Sequence, residues 1–240
     1  MPKDDPVAEE ILALIPGYQE GPRIGLVVER ARRHLPVVVV DDGSTDDTAA
    51  QAKAAGATVL RQAPNAGKGA ALRAGFRYAL ERGAAAVVTL DADGQHDPAE
   101  IPRFLAALAT QGPGRPRPGQ PELVVGCRDF SGMPPLRRFS NTLGTWVLSA
   151  AVGRHVADNQ CGYRLIGRRL MSASLDSDES GFEFEVEMIA RCIALGLPMA
   201  EVPISTIYAG EPSHIRNWQH VQHFLRVSDK ARRIVRSGRA

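Results

Sequence analysis

Residues 37–48 read VVVVDDGSTDDT: four β-branched residues run without a break into acids and hydroxyls. An unbroken apolar run of this length, Val37 to Val40, suits a strand covered on both faces, as strands of parallel sheets are. The flanking sequence repeats the theme. Ile11 to Ile15 reads as a strand closed by Pro16-Gly17, and Gly21 to His34 as a helix with Ile24, Val27, Val28 and Ala31 on one face. Downstream, Ser44 or Thr45 is expected to cap a helix reaching about Ala55, followed by a short strand at Thr58 to Leu60. Gly69 to Arg82 then reads as a helix, Ala85 to Leu90 as a buried strand, and Asp97-Pro98 as the start of a further helix. This alternation predicts an α/β fold: a Rossmann-like, mostly parallel sheet with helices on both faces. Ligands of such sheets bind at the carboxyl ends of the strands, where the polar motifs of this chain lie.

The second half is less regular. Gln111 to Pro121 is rich in glycine and proline and reads as a surface loop; Leu123 to Val125 returns to strand. Pro135 to Val152 and Phe182 to Leu195 read as helices, and Ala200 to Tyr208 as a strand that Pro203 confines to a sheet edge. From about Asn217 an amphipathic helix carries Trp218, Val221, Phe224 and Leu225, then Arg226, Lys230, Arg232, Arg233, Arg236 and Arg239. It reads either as an interfacial helix drawn to anionic lipid or, slightly favoured, as a helix docked on the core with a solvated basic face. The expected division is one catalytic domain over 1–212 and this basic helix and tail over 213–240.

Bulk properties narrow the function. The 240 residues carry a formal charge of +2, which gives no electrostatic footprint for nucleic acid. No apolar run approaches the roughly 20 residues of a membrane-spanning helix, so any membrane contact is expected at the surface. Cys127, Cys161 and Cys192 lack the paired spacings of zinc sites. An odd count with no secretion signal reads as reduced, buried thiols in a cytoplasmic protein, one that can sit peripherally at the inner membrane surface.

Chemistry concentrates in Thr89-Leu90-Asp91-Ala92-Asp93-Gly94-Gln95-His96. If the strand continues extended, residues two apart face the same side, and both carboxylates can address one hard cation, Mg²⁺ or Mn²⁺. Gln95 continues that side; a zinc site through His96 is disfavoured, because no second nitrogen or sulfur ligand lies at suitable spacing. Asp41 and Asp42 form a second acidic strand end, suited to accepting hydrogen bonds from a base or ribose. Asn65-Ala66-Gly67-Lys68-Gly69 precedes a helix, but the glycine a P-loop needs is replaced by Gln62, which excludes a P-loop NTPase. Lys68 can still reach a phosphate from a helix N-terminus.

Ile15-Pro16-Gly17-Tyr18-Gln19-Glu20, then VVVVDDGSTDDT, then NAGKGAALRAGF, then LDADGQHDP together resemble family 2 glycosyltransferases of the GT-A fold. Within that family the chain looks most like the polyprenyl-phosphate branch, which includes dolichol-phosphate mannosyltransferases; the resemblance spans about Ile11 to Leu225. It implies that Pro16, Tyr18, Glu20 and Asp42 bind the nucleoside, with Gly17 and Gln19 departing from the family's alanine and asparagine; Asp41 joins them from its place at the strand end. It implies that Asp91, Asp93 and Gln95 hold Mg²⁺ or Mn²⁺, and Lys68 at its helix start and Asp91 are the candidates to serve the donor's diphosphate. Gly126-Cys127-Arg128 and Gln160-Cys161-Gly162-Tyr163-Arg164 match elements whose arginines lie near the acceptor, so Arg128 and Arg164 join Asp93 as catalytic residues. Gly181 to Glu185 matches an acidic-aromatic helix start, and Ser213-His214-Ile215 a post-catalytic loop with histidine in place of lysine. The branch's frequent membrane helices are absent from this sequence.

The implied reaction is inverting transfer of a hexose from a nucleotide-sugar, of GDP-mannose or UDP-glucose type, to polyprenyl phosphate. An ionised phosphate acceptor needs cations, for which Arg128, Arg137, Arg138 and Arg164 are suited. A soluble hydroxyl acceptor would instead need a base, with Asp158, Glu183 and Glu185 as candidates. A non-catalytic nucleotide-sugar sensor is the alternative outside enzymes. A sugar nucleotidyltransferase is disfavoured, because its early glycine-rich loop is missing.

Overall fold

The computed structural model describes residues 10–109, 120–129, 135–205, 207 and 219–238. The chain begins with β1 (Ile11–Gly17), α1 (Gly21–Ala31), β2 (Val37–Asp42), α2 (Thr48–Ala54), β3 (Thr58–Gln62), α3 (Lys68–Glu81) and β4 (Ala86–Thr89). A turn of 3-10 helix, Pro98–Glu100, leads into α4 (Ile101–Ala109). Then come β5 (Leu123–Arg128), α5 (Pro135–Val152), β6 (Arg164–Gly167), α6 (Arg168–Ser174), α7 (Glu183–Ala194), β7 (Met199–Ile204) and α8 (Gln219–Ser237).

The strands form one sheet in the order β3-β2-β1-β4-β6-β5-β7. Of these, only β6 runs against its neighbours. The order reverses direction between β1 and β4, the switch point where α/β sheets open a crevice. Alternation along the strands builds both layers. Leu12, Leu14, Val38 and Val40 pack against α3, α5, α6, α7 and α8, while Ala13, Ile15, Val37 and Val39 pack against α1, α2 and α4. The four-valine run is buried throughout, as its lack of polar residues requires. Fully burying side chains such as Leu72 and Phe76 of α3 contributes about 1.5–3 kcal/mol each.

The expected edge strand is found: β7 closes the sheet, and Pro203 lies opposite Cys127 with no further strand outside it among the described residues. The described part of α8 docks on the core through Val227, Ala231 and Val235. Trp218 and Ser213 to Ile215 lie outside the described residues, as does most of the glycine-proline loop; so do the side chains of Arg137, Val221, Phe224 and Leu225.

Two local expectations are corrected. Neither Ser44 nor Thr45 caps α2, which starts at Thr48 without a side-chain cap on its first turn. Their hydroxyls instead accept from the Gln19 backbone N–H (3.0 Å) and the Gln19 side-chain amide (2.7 Å), holding Gln19 at φ 58°. The Asp91-Ala92-Asp93 segment is not an extension of β4, which ends at Thr89; it is a turn. Ala92 still points into the core, buried among β1 and α1 residues, and the two acids flank it.

Candidate active site

The carboxyl ends of β1, β2, β3 and β4 meet at one edge of the sheet, joined there by the start of α7 and the 160–162 turn before β6. Pro16 and Glu20 are partly buried at the end of β1, Glu20 paired with Arg23 at 2.8 Å, and the Tyr18 ring is 49% exposed, open to a flat partner. Asp42 is 3% exposed and turned inward. Its carboxylate accepts from the Gln62 amide (2.7 Å) and from the backbone N–H groups of Ala66 (2.8 Å) and Gly67 (2.7 Å). Asp41 is fully buried, accepting from Ser44 N–H at 3.0 Å and facing the Arg61 guanidinium at 3.1 Å as an ion pair. What these two acids do in the structure is fold the loops around the crevice.

The loop that Asp42 folds delivers Lys68 to the first turn of α3. Its glycines are explained by the chain passing over them. Gly69 N–H donates to Ser180 O at 2.6 Å, and a Cβ at Gly69 would lie 2.6 Å from Glu179 O and 2.8 Å from Phe184 Cβ. The Gly-Lys-Gly sequence is thus a junction between α3 and the start of α7, and not a phosphate loop.

Lys68 is the electrostatic centre of the site. Its ammonium lies 2.6 Å from Asp91 Oδ1 and 3.2 Å from Glu185 Oε1, with the exposed Phe182 ring 5.1 Å away. Burial disfavours its charge, but Asp91 and Glu185 outweigh that and raise its pKa. Burial would likewise raise Asp91; the Lys68 charge beside it holds the carboxyl well below the usual range instead. A Cβ at Gly162 would sit 2.8 Å from Lys68 Nζ, 2.9 Å from Glu185 Oε1 and 3.0 Å from Asp91 Oδ1, so a side chain there would push these three charged ends aside. The Thr89 hydroxyl fixes that turn by donating to Gly162 O at 2.8 Å.

On the far side of Asp91, His96 Nδ1 accepts the Asp91 backbone N–H at 3.1 Å. His96 is buried, burial lowers its pKa, and it packs beside Tyr163 at 5.1 Å. It is a neutral wedge that shapes the acidic turn. Asp93 accepts from Gln95 N–H at 2.9 Å across Gly94, whose φ is 80°. Gln95 O in turn accepts from Ile207 N–H at 3.1 Å.

The two arginines of the acceptor side differ. Arg128, at the carboxyl end of β5, forms a bidentate pair with buried Asp158: Nε to Oδ2 at 2.7 Å and Nη2 to Oδ1 at 3.0 Å. Arg164 is fully buried and donates to Cys161 O (2.7 Å), Glu185 O (2.5 Å) and Asn159 O (3.0 Å). It ties the 159–161 turn to α7 beneath the crevice, its guanidinium bonded to three backbone carbonyls. Arg138 is exposed on α5. The three cysteines are free thiols, each pushed up to about 12 by burial.

Residues 13–116 match the profile of glycosyl transferase family 2. An undecaprenyl-phosphate mannosyltransferase of Micrococcus luteus is 34% identical over 212 residues, covering 82% of this chain and 83% of the relative. A polyprenol monophosphomannose synthase of Mycolicibacterium smegmatis is 33% identical over 217 residues, covering 82% and 77%. The chain belongs to glycosyl transferase family 2. Its relatives place this family 2 glycosyltransferase in the polyprenyl-phosphate branch. The fold is that of GT-A enzymes. Glucosyl-3-phosphoglycerate synthase from Mycobacterium tuberculosis, solved with Mn²⁺, uridine-diphosphate-glucose and phosphoglyceric acid, superposes with a TM-score of 0.69 at 21% identity, covering 91% of this chain and 76% of that one.

A divalent cation fits the donor chemistry of this glycosyltransferase's acidic turn. Asp91 and Asp93 offer hard carboxylate oxygens of the kind Mg²⁺ and Mn²⁺ prefer. Among the described residues no three His, Cys, Asp or Glu side chains converge into a closed cage. The turn suits a cation that takes its remaining ligands from substrate phosphate and water.

Glu185, Phe182 and Gly162 are the site residues that spacing underrated. The sequence offers Glu185 as a base candidate and as part of a matched helix start, but nothing local links it to Lys68, more than a hundred positions away.

Proposed function

We propose that this glycosyltransferase moves a hexose from a nucleotide-sugar of GDP-mannose or UDP-glucose type to a polyprenyl phosphate, with Mg²⁺ or Mn²⁺ held by Asp91, Asp93 and Gln95. Donor binding falls to Pro16, Tyr18 and Glu20, with Asp41 and Asp42 shaping the pocket and Lys68 facing the diphosphate. When bound, the cation supplies Lewis-acid stabilisation to the leaving diphosphate. Lys68, fixed between Asp91 and Glu185, adds a positive charge at the same place without rearranging, which is how preorganised charge lowers a barrier. The exposed Tyr18 ring offers a face for the nucleobase.

The observation that carries the acceptor reading is the state of the candidate bases. Asp158 is locked in a bidentate pair with Arg128, and Glu185 is buried against Lys68. Of the three carboxylates that a hydroxyl acceptor could use as a base, these two have their oxygens engaged by cations of the protein. A lipid phosphate is ionised already and needs only positioning, which the relatives' named substrates also favour. Arg128 stands at the site's edge to provide it. The protein would work in the cytoplasm at the inner membrane surface; no described helix is long and apolar enough to cross a membrane.

The test is transfer from labelled GDP-mannose, UDP-glucose and related donors to polyprenyl phosphate, with Mg²⁺, Mn²⁺ or chelator. Label entering the organic phase from one donor, dependent on metal and lost in Asp93→Ala, is the expected result. Donor hydrolysis or transfer to a soluble hydroxyl acceptor, without lipid label, would overturn the acceptor assignment.

A further inference from the structure

The described side chains of the basic C-terminal helix follow the docked reading: Val227, Ala231 and Val235 of α8 are buried against the body of the protein. What α8 leaves outside is charge: Arg226, Arg232, Arg233 and Arg236 are all exposed. Apolar surface lies on α5 instead. Leu143 is 46% exposed and Trp146 69%, and Ala150 is exposed one turn further along. Positions spaced by three and four residues share one helix face. Ala150 also lines an open groove of about 470 Å³ between the end of α5 and α8, whose opposite wall carries Arg232 and Arg236. The one acid in that wall, Asp229, is paired with Arg233 at 2.6 Å.

An exposed indole beside an arginine-walled groove is an unusual surface for a protein that meets only water. Tryptophan favours the level of lipid headgroups, where its ring is half apolar and its N–H still bonds. Arginine on a basic helix is drawn to an anionic leaflet and pairs with phosphate through two donors. We propose that Leu143 and Trp146 of α5, with Arg232 and Arg236 of α8, form the face that seats this protein on an anionic lipid surface. In this arrangement α5 supplies the inserted groups and α8 the attraction. The purpose of the face rests on the lipid-phosphate reading above, but its test does not depend on turnover.

The chain has two tryptophans, so Trp218→Phe leaves Trp146 as the sole fluorophore. In that variant, Trp146 emission should shift to the blue and be quenched by brominated acyl chains on vesicles containing phosphatidylglycerol, and not on phosphatidylcholine alone. Arg232→Glu with Arg236→Glu should weaken vesicle binding at least about tenfold, and raised salt should do the same. Trp146→Glu should keep transfer to a short-chain acceptor in detergent while losing transfer to acceptor embedded in vesicles. Vesicle binding with Trp146 unshifted would overturn the proposal by placing the contact elsewhere. A blue shift that grows with protein concentration in the absence of vesicles would overturn it in favour of a second copy covering this face. If wild-type protein transfers to neither acceptor, the lipid-phosphate reading fails, and the fluorescence still decides the surface.

Discussion

The ends of β2 and β4 each carry two acids, and the molecule uses them differently. At β2, Asp42 is 3% exposed and accepts three hydrogen bonds from the loop leading to α3, while Asp41 is fully buried between Ser44 and Arg61. At β4, Asp91 faces an ammonium 2.6 Å away, and Asp93 is held only part-way out of solvent by its own turn. The first pair is enclosed by the fold, with Asp41 Oδ2 facing only the Arg61 guanidinium. In the second, Asp91 is held in its charged form by a lysine that the loop on Asp42 helps to place. An acid whose acceptor capacity is filled by backbone N–H groups builds structure; one facing a fixed ammonium at the crevice keeps lone pairs for a further cation.

The sharpest way to break this contrast is to change both ends alike. Asp93→Ala and Asp91→Asn should lower kcat/KM for transfer by about a hundredfold or more, the scale of losing a preorganised charge contact in a transition state. Neither should lower Tm by more than a few degrees, since Asp93 bonds within its own short turn and Lys68 keeps Glu185 when Asp91 is neutralised. Asp42→Asn should do the reverse. Its new amide would turn a donor toward the Ala66 or Gly67 N–H, leaving a buried group unsatisfied at a cost of about 1–3 kcal/mol. Transfer would then fall chiefly through a displaced Lys68. If Asp42→Asn abolished transfer with Tm unchanged, Asp42 would belong with the ligand-facing acids and the contrast would collapse.

A smaller effect is expected where the sheet carries α3. Gly75 faces Leu14, and a Cβ there would overlap the leucine side chain. Gly75→Ala should destabilise by about 1–3 kcal/mol through overpacking, read as a lower denaturant midpoint with unchanged slope. Little change would mean that α3, and Lys68 with it, is less tightly set on β1 than the packing indicates.

The parallel half was legible because its signals are local. Four valines in a row, helical spacing from Ile24 to Ala31 and a proline after Asp97 each report on their own few residues. The strand ends were legible as a place for chemistry for the same reason. What could not be read was which acids face outward. That depends on contacts across long stretches of chain, such as Ala66 and Gly67 on Asp42, or Glu185 on Lys68. Arg164 shows the same limit: a matched motif gives its position in the chain, but its burial under α7 is a tertiary fact. The Ser44-Thr45 pair has good capping chemistry, yet Gln19 on the neighbouring loop claims both hydroxyls.

A third acid cluster offers the mildest test. Glu187 on α7 is buried and bonded to Arg191 at 2.7 Å, and it lies 2.8 Å from Lys230 of α8, which also contacts Glu179 at 2.6 Å. Burial would raise the Glu187 pKa, but Lys230 and Arg191 lower it; burial would lower that of Lys230, but Glu179 and Glu187 raise it. The stabilisation from Glu187 is therefore present above its ordinary value of 4.5 and is lost as pH falls through its lower folded value. The stabilisation from Lys230 is present below 10.5 and is lost as pH rises through its higher folded value. Lys230 is 40% exposed, so solvent screens the pair, and Lys230→Met should cost only about 1 kcal/mol, or about 2–4 °C in Tm at pH 7. That difference should vanish in acid. Transfer should stay within about twofold of wild type, because a cluster of this kind supports the fold alone. A larger loss at unchanged Tm would have one route. Glu179 and Ser180 lie against Gly69, so a shift of α8 would reach Lys68 through that junction and place this third cluster on the chemical side of the contrast.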